Sequence, residues 1–445
     1  MGNYLIKNVT IVNEGKTAVK DVLINGKLIK TISSPGTLKD ENNVVFDGKG
    51  KIMIPGVIDD HVHFREPGLT HKGDIASESG AAVAGGITSI MEMPNTIPQT
   101  TTIDELNKKN EIAAGKSHTN YSFYLGVTNN NISEIKAIDP GKTCGIKVFL
   151  GASTGNMLAD NKENLERIFA ESPVLIAAHC EDETTIQNNL TVIRNMYGEN
   201  ISVKYHPVIR SEEACFLSTS LAVNLAKQFG SRLHVCHLST GRELQLFESV
   251  PLSEKRITTE VSIHHLMFCD DDYSTKGNLI KINPAIKKDS DRKMLFQALL
   301  DNKIDIIATD HAPHTLEEKS NPYFSSPSGA PMIQHSLVVM LEFWKKGLIS
   351  IEKIVEKMCH NPAQLFNIHK RGFIREGFYA DLTLIDPESS WIINKSNLLY
   401  KCGWSPLENE TMQTKVDSTF INGELAYSND TVSERIHSMQ LKFDR

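Results

Sequence analysis

Between residues 54 and 309 the chain repeats one pattern: a short apolar run, then a segment of helix length. Eight such runs occur, at 54–59, 89–93, 121–127, 145–150, 174–178, 232–237, 257–261 and 304–309. Apolar runs this short, alternating with helical stretches, read as parallel strands buried on both faces and joined by crossover helices. Eight strand–helix units predict a closed α/β architecture, a (β/α)8 barrel of the TIM type. The flanks read differently. Residues 4–12 and 21–32 are short strands with a turn at Asn25-Gly26, and residues 380–385 and 418–424 repeat the style near the other end. Two β-rich ends around a different middle predict one small discontinuous β-sandwich built from both termini. The Gly/Pro/Ser-rich stretch 321–331 is expected to be the most mobile part of the barrel.

Charge and cysteine usage narrow the function. The chain carries 47 Lys+Arg against 54 Asp+Glu, a formal net charge of −7. That balance lacks the basic excess a nucleic-acid partner requires. The apolar run at 173–178 falls far short of the ~20 residues that span a bilayer, and the first residues have neither a leader nor a myristoylation pattern. Seven cysteines without a Cys-x-x-Cys pair point to reduced thiols and a cytoplasmic location.

The chemistry gathers where the apolar runs meet polar residues. His61 and His63 stand two apart at the end of the first run, so their side chains share one strand face and can reach one point. Imidazole pairs of this kind suit Zn²⁺ and similar divalent ions. His179, His237 and Asp310 each follow an apolar run, and Lys147 lies inside one. Taken singly, His179 or His237 reads as a hydrogen-bonded core histidine, Asp310 as a helix N-cap and Lys147 as a snorkelling or paired lysine. Their recurrence on five strands of one barrel favours a metal centre at the carboxyl-end mouth, where barrel active sites are built. A buried neutral lysine amine can add CO₂ to become a carbamate, turning an awkward cation into an anionic ligand. His234, His264, His265, His206 and His71 are expected to be structural or supporting, and Cys180 and Cys236 to pack as small apolar groups.

These residues resemble the amidohydrolase superfamily and, within it, the dihydroorotases. The run His61-Val62-His63-Phe64-Arg65-Glu66-Pro67-Gly68 is similar to the family's first signature, and Ala308-Thr309-Asp310-His311-Ala312-Pro313-His314 to its second. Gly85-Gly86-Ile87-Thr88, Met93-Pro94-Asn95-Thr96 and Glu260-Val261-Ser262-Ile263-His264-His265-Leu266 fit between them. Gly372-Phe373-Ile374 and Gly377-Phe378-Tyr379-Ala380-Asp381-Leu382 resemble the return into the small β-domain. On this reading residues 1–54 and 372–445 form the small β-domain and 55–371 the catalytic barrel.

The resemblance implies a binuclear centre, usually zinc, held by His61, His63, carboxylated Lys147, His179, His237 and Asp310. It implies reversible hydrolysis of the ring amide of (S)-dihydroorotate to N-carbamoyl-L-aspartate, in pyrimidine biosynthesis, by a metal-bridging hydroxide with Asp310 as general acid and base. Arg65, Asn95 and His314 are expected to grip the substrate carboxylate, which a guanidinium matches with two prongs. A surface ion pair between Arg65 and Glu66 is the competing reading. Asn283 resembles a ring-contacting position, and Ser153 and Thr154 offer hydroxyls on a loop that closes over substrate in many relatives. Here Gly329-Ala330-Pro331-Met332 departs from the family's Gly-hydrophobic-Pro-Gly run, so Pro331 is expected at the substrate and Met332 to reshape the pocket. An allantoinase or dihydropyrimidinase-like cyclic amidase, or a non-catalytic scaffold, are the alternatives, and a homodimer is expected from the resemblance.

Overall fold

Strands enclosed on both faces need only apolar side chains and a parallel ladder, and the eight runs build one. The computed structural model describes residues 3–40, 43–151, 157 and 161–445. Its barrel strands are β1 (Val57–Val62), β2 (Ile87–Glu92), β3 (Asn120–Phe123, resumed at Leu125–Gly126), β4 (Ile146–Gly151), β5 (Ile176–Glu181), β6 (Leu233–Val235), β7 (Ile257–Ser262) and β8 (Ile306–Ala308). Each pairs in parallel with its neighbours. The ring closes where Val62 bridges His311 and the His63 N–H donates to the His311 carbonyl at 2.8 Å. The fold is a TIM-type (β/α)8 barrel with a β-sandwich made by the two termini.

The crossover helices carry their own start and stop signals. The helix Glu212–Phe229 begins at Ser211, whose hydroxyl accepts the Ala214 N–H, has Glu212 and Glu213 in its first turn, and ends at left-handed Gly230. Its buried face, with Ala214, Cys215, Ser218, Ala222 and Ala226, packs on β5.

The terminal sheet has nine strands. Ile52–Pro55 lies at its centre, antiparallel to Leu382–Asp386 on one side and parallel to Asn3–Asn13 on the other. The first apolar run, 54–59, is therefore divided between two sheets. Its start belongs to the terminal sheet and its end to β1, with Gly56 at the crossing. A Cβ on Gly56 would meet Thr88 Oγ1 at 2.2 Å, so only glycine lets the chain pass so close to β2. Residues 439–443 run along the barrel, where the Tyr121 N–H donates to the Met439 carbonyl at 3.1 Å and the Leu441 N–H to the Tyr121 carbonyl at 2.8 Å.

One buried carboxylate ties the two units together. Asp381 accepts from the Arg371 guanidinium, from the Asn422 N–H at 2.7 Å and from Asn120 Nδ2 at 3.3 Å, and Asn120 lies on β3. Removing one partner of a buried ion pair leaves the other uncompensated. Asp381→Ala should therefore cost about 3–5 kcal/mol in urea unfolding, and a loss below about 1 kcal/mol would show that the junction is held by apolar packing instead.

Candidate active site

The barrel register brings most of the expected donors to one mouth. His61 is the fifth residue of β1, His63 follows that strand, His179 lies in β5, and His237 and Asp310 stand two residues beyond β6 and β8. Lys147 sits lower, at the second residue of β4, where Phe149 is the residue level with His179; its long side chain reaches the same cavity. Asp310 Oδ1 lies 3.4 Å from His61 Nε2 and 3.1 Å from His63 Nε2. His179 Nδ1 is 3.0 Å from His237 Nε2. The imidazole rings of His61, His63, His179 and His237 are neighbours, with centroids 4.8–5.4 Å apart.

The outer nitrogens of three of these rings are spoken for. His61 Nδ1–H donates to Glu260 at 2.5 Å, His63 Nδ1–H to Asn95 Oδ1 at 2.8 Å, and His179 Nε2–H to Glu181 at 3.0 Å. These bonds leave the inward nitrogens as lone-pair donors, the tautomers a cation requires. Glu181 is itself held ionised by Arg210. Behind Glu260, His234 bridges Asp60 and Glu260; burial would lower it, but the two carboxylates raise it to about 10.

Charge in the cluster is poised for a cation. Burial pulls His61 down, yet Glu260 and Asp310 hold it well above the ordinary imidazole range, so a cation between His61 and Asp310 would take the place of the proton on its inward nitrogen. Burial would raise Asp310, and His61 and His63 instead hold it well below the usual carboxylate range. His63, by contrast, is lowered to about 4 by burial. His237 Nδ1 is buried with no hydrogen-bond partner among the described residues. Lys147 is 1% exposed, and its ammonium has one polar contact among those residues, Cys236 Sγ at 2.8 Å. An unpaired buried ammonium, two imidazole nitrogens facing each other at 3.0 Å and an acid shared by two histidines are the demands that divalent cations and a lysine carbamate would meet.

The opposite wall of this cavity of about 310 Å³ is cationic. Arg65 donates through Nε to the Pro313 carbonyl at 3.0 Å, and its Nη2 lies 3.1 Å from His314 Nε2. Glu66 instead pairs with Lys116 at 2.5 Å, which removes the surface ion-pair reading of Arg65. Lys72 Nζ sits 3.1 Å from His314 Nδ1 and 3.0 Å from Glu318. An ammonium on Nδ1 makes that nitrogen the acceptor and places the His314 proton on Nε2, where the Ser328 carbonyl accepts it at 3.2 Å beside the Arg65 guanidinium. Burial, then Arg65 and Lys72, hold His314 well below its ordinary range. Asn95 and Asn283 complete the lining, and Asn283 Oδ1 is buried without a hydrogen-bond partner among the described residues.

Comparison with known proteins agrees with this geometry. Residues 52–426 match the model of the amidohydrolase family. The chain belongs to the amidohydrolase family. Similar relatives include the dihydroorotase of Pyrococcus abyssi, 33% identical over 94% of this chain and 92% of that one. The dihydroorotase of Methanosphaera stadtmanae is 31% identical over 92% of each. Among solved structures, the L-hydantoinase (dihydropyrimidinase) from Arthrobacter aurescens superposes over 100% of both chains with a TM-score of 0.94 and 26% identity.

In this amidohydrolase three sequence expectations change, and the two loop hydroxyls fall outside the described residues. Pro331 is not among the residues lining the cavity, whose wall ends at Gly329. Ala330 is committed to a bridge with His311, and Met332 gives its N–H to His311 Nδ1 at 3.0 Å. The Met332 side chain is fully buried in the barrel core, so it leaves the pocket's shape alone. Gly329 remains essential, since a Cβ there would press on the Ala312 carbonyl at 2.5 Å and on His314 at 3.0 Å. Ser153 and Thr154 lie outside the described residues.

The stretch 321–331, expected to be mobile, is instead pinned by two buried lysines. Lys281 Nζ donates to the carbonyls of Tyr323 at 2.7 Å and Ser326 at 2.5 Å, and burial lowers its pKa to about 8. Lys319 Nζ donates to Lys281 O at 3.1 Å, Pro327 O at 2.9 Å and Gly329 O at 2.8 Å. Residues 326–329 form cavity wall, so these lysines set its shape. Leaving those carbonyls without donors is costly: Lys319→Met should lose about 3 kcal/mol and accelerate proteolytic cutting within 321–331. Unchanged cleavage there would mean that the lysine is incidental.

Proposed function

We propose that the protein is a dihydroorotase, interconverting (S)-dihydroorotate and N-carbamoyl-L-aspartate in pyrimidine biosynthesis. The observation that carries this reading is the Arg65–His314 pair, backed by Lys72, set across one small cavity from the histidine and aspartate cluster. A cyclic amide bearing a carboxylate answers both walls, and the curated relatives named dihydroorotase support the choice.

His61, His63, His179, His237, Asp310 and Lys147 as its carbamate would hold two divalent cations, and this donor set suits zinc. Such ions supply Lewis acidity for the amide carbonyl and bring the pKa of a water towards neutrality. The chain's own groups do the rest. Arg65 and the His314 Nε2–H grip the substrate carboxylate with the Asn95 amide beside them, which fixes which ring carbonyl faces the cluster. Asn283 Oδ1 accepts a ring N–H. Asp310, held ionised, takes the proton of the attacking water at Oδ1 and returns it to the leaving ring nitrogen.

The direct test is ring closure of N-carbamoyl-L-aspartate by purified protein, with a metal count on the same sample. Turnover with about two ions per chain is expected; no turnover by metal-replete protein supplied with CO₂ would overturn the reading. Lys147→Ala should remove most activity and lower the metal content. Arg65→Met should raise KM about tenfold or more with a smaller change in kcat, and Lys72→Met should raise it less; unchanged saturation behaviour would contradict the carboxylate wall. A hydantoinase-like cyclic amidase is the second reading, favoured by the L-hydantoinase superposition.

A further inference from the structure

A second cavity, of about 800 Å³, opens at the end of the barrel away from the histidine cluster, beneath the starts of β6, β7 and β8. Arg232 precedes β6 and Arg256 precedes β7, and Leu233 and Ile257 are register partners, so the two arginines stand side by side on the rim. Neither forms an ion pair with a carboxylate among the described residues. Arg232 donates through Nη2 to the Leu365 carbonyl, and Arg256 through Nε at 3.0 Å and through Nη2 to the Gly230 carbonyl, which leaves the Nη1 group of each guanidinium without a protein partner among the described residues. Their guanidiniums repel: burial and Arg256 both lower Arg232, and burial together with Arg232 lowers Arg445 to about 10.

The other charges on this rim are mostly spent. Lys255 is bound to Asp305 at 2.7 Å, and Lys357 to the Ile304 carbonyl at 2.8 Å and Asn302 Oδ1 at 2.9 Å. Glu356 takes Lys353 at 2.8 Å. Glu254 is the lining carboxylate that forms no ion pair among the described residues, and it is exposed. Two adjacent guanidiniums with unspent donors are a bidentate match for a phosphoryl group. The volume suits a ligand larger than the anion alone, and Pro251 and Leu252 offer an apolar wall beside the amides of Asn361 and Gln364.

We infer that this cavity is a binding site for a small phosphorylated ligand of nucleotide size, held by its phosphoryl group on Arg232 and Arg256 and separate from the catalytic mouth. The inference does not rest on the substrate assigned above. It also has a structural corollary: His237 and Asp310 stand beyond the other ends of β6 and β8 and Glu260 lies within β7, so an occupant would touch the strands that position those groups.

The test is calorimetric titration of the metal-loaded, full-length protein with AMP, inorganic pyrophosphate and adenosine. AMP or pyrophosphate should bind with a Kd below about 1 mM, and Arg256→Gln, an exposed change that leaves the fold intact, should weaken binding about tenfold or more. Arg232→Gln should do the same, and adenosine should bind at least about tenfold more weakly than AMP. Arg65→Met, in the other cavity, should leave binding unchanged. Pyrophosphate bound as tightly as AMP would identify an inorganic anion as the phosphoryl source, whereas tighter AMP would identify a nucleotide. No binding of either anion at about ten times that concentration, binding indifferent to Arg256→Gln, binding lost with Arg65→Met, or adenosine binding as well as AMP would each overturn the site.

Discussion

Burying histidines, acids and a lysine in one barrel mouth is tolerable only if most outer atoms have partners and the inner atoms face a group that can share their lone pairs. The rest of the site follows from that constraint. Glu260 holds His61, Asn95 holds His63 and Glu181 holds His179, so the inward nitrogens face Asp310 and one another. Each supporting acid is in turn offset, Glu181 by Arg210 and Glu260 by His234. The result is a layered charge arrangement in which the innermost layer is incomplete on its own. Breaking any one of these buried pairs would strand its partner in a medium that solvates charge poorly.

The acidic net charge of the chain is a poor guide to what this mouth attracts. Arg65, Lys72, His314 and Lys281 all line the cavity, and the net charge of −7 is spread over the remaining surface. Local field, set by a few side chains in a recess, governs which ligand enters. The same reasoning applies at the barrel's other end, where Arg232 and Arg256 stand together without a carboxylate partner.

Much of this was legible in the sequence. All eight apolar runs contain barrel strands, because strands enclosed on both faces leave a mark that does not depend on tertiary detail. The donors His61, His63, His179, His237 and Asp310 could be singled out because polar residues ending apolar runs are rare. Their partners were harder to see. Glu181 and Glu260 lie inside strands, and only the barrel register shows which histidine each one meets. A buried acid in an otherwise apolar run was the available signal. Lys72, Lys281 and Lys319 gave none, since a lysine in a loop reads as solvated until the carbonyls and rings it caps are known. The stretch 321–331 misled for the same reason: its composition suggests mobility, and the neighbouring Lys319 with the distant Lys281 decides otherwise. Met332 misled because the local motif says nothing about whether a side chain turns inward to the core.

We propose that a cationic wall selects a carboxylate-bearing ring for a general amide-hydrolysing cluster. The most direct measurement compares kcat/KM for dihydroorotate with that for dihydrouracil, the same ring without the carboxylate. A site whose buried donors are left unpaired by the smaller ring should prefer dihydroorotate by about a thousandfold or more. Comparable values for the two rings would contradict the account and place the enzyme with the hydantoinases.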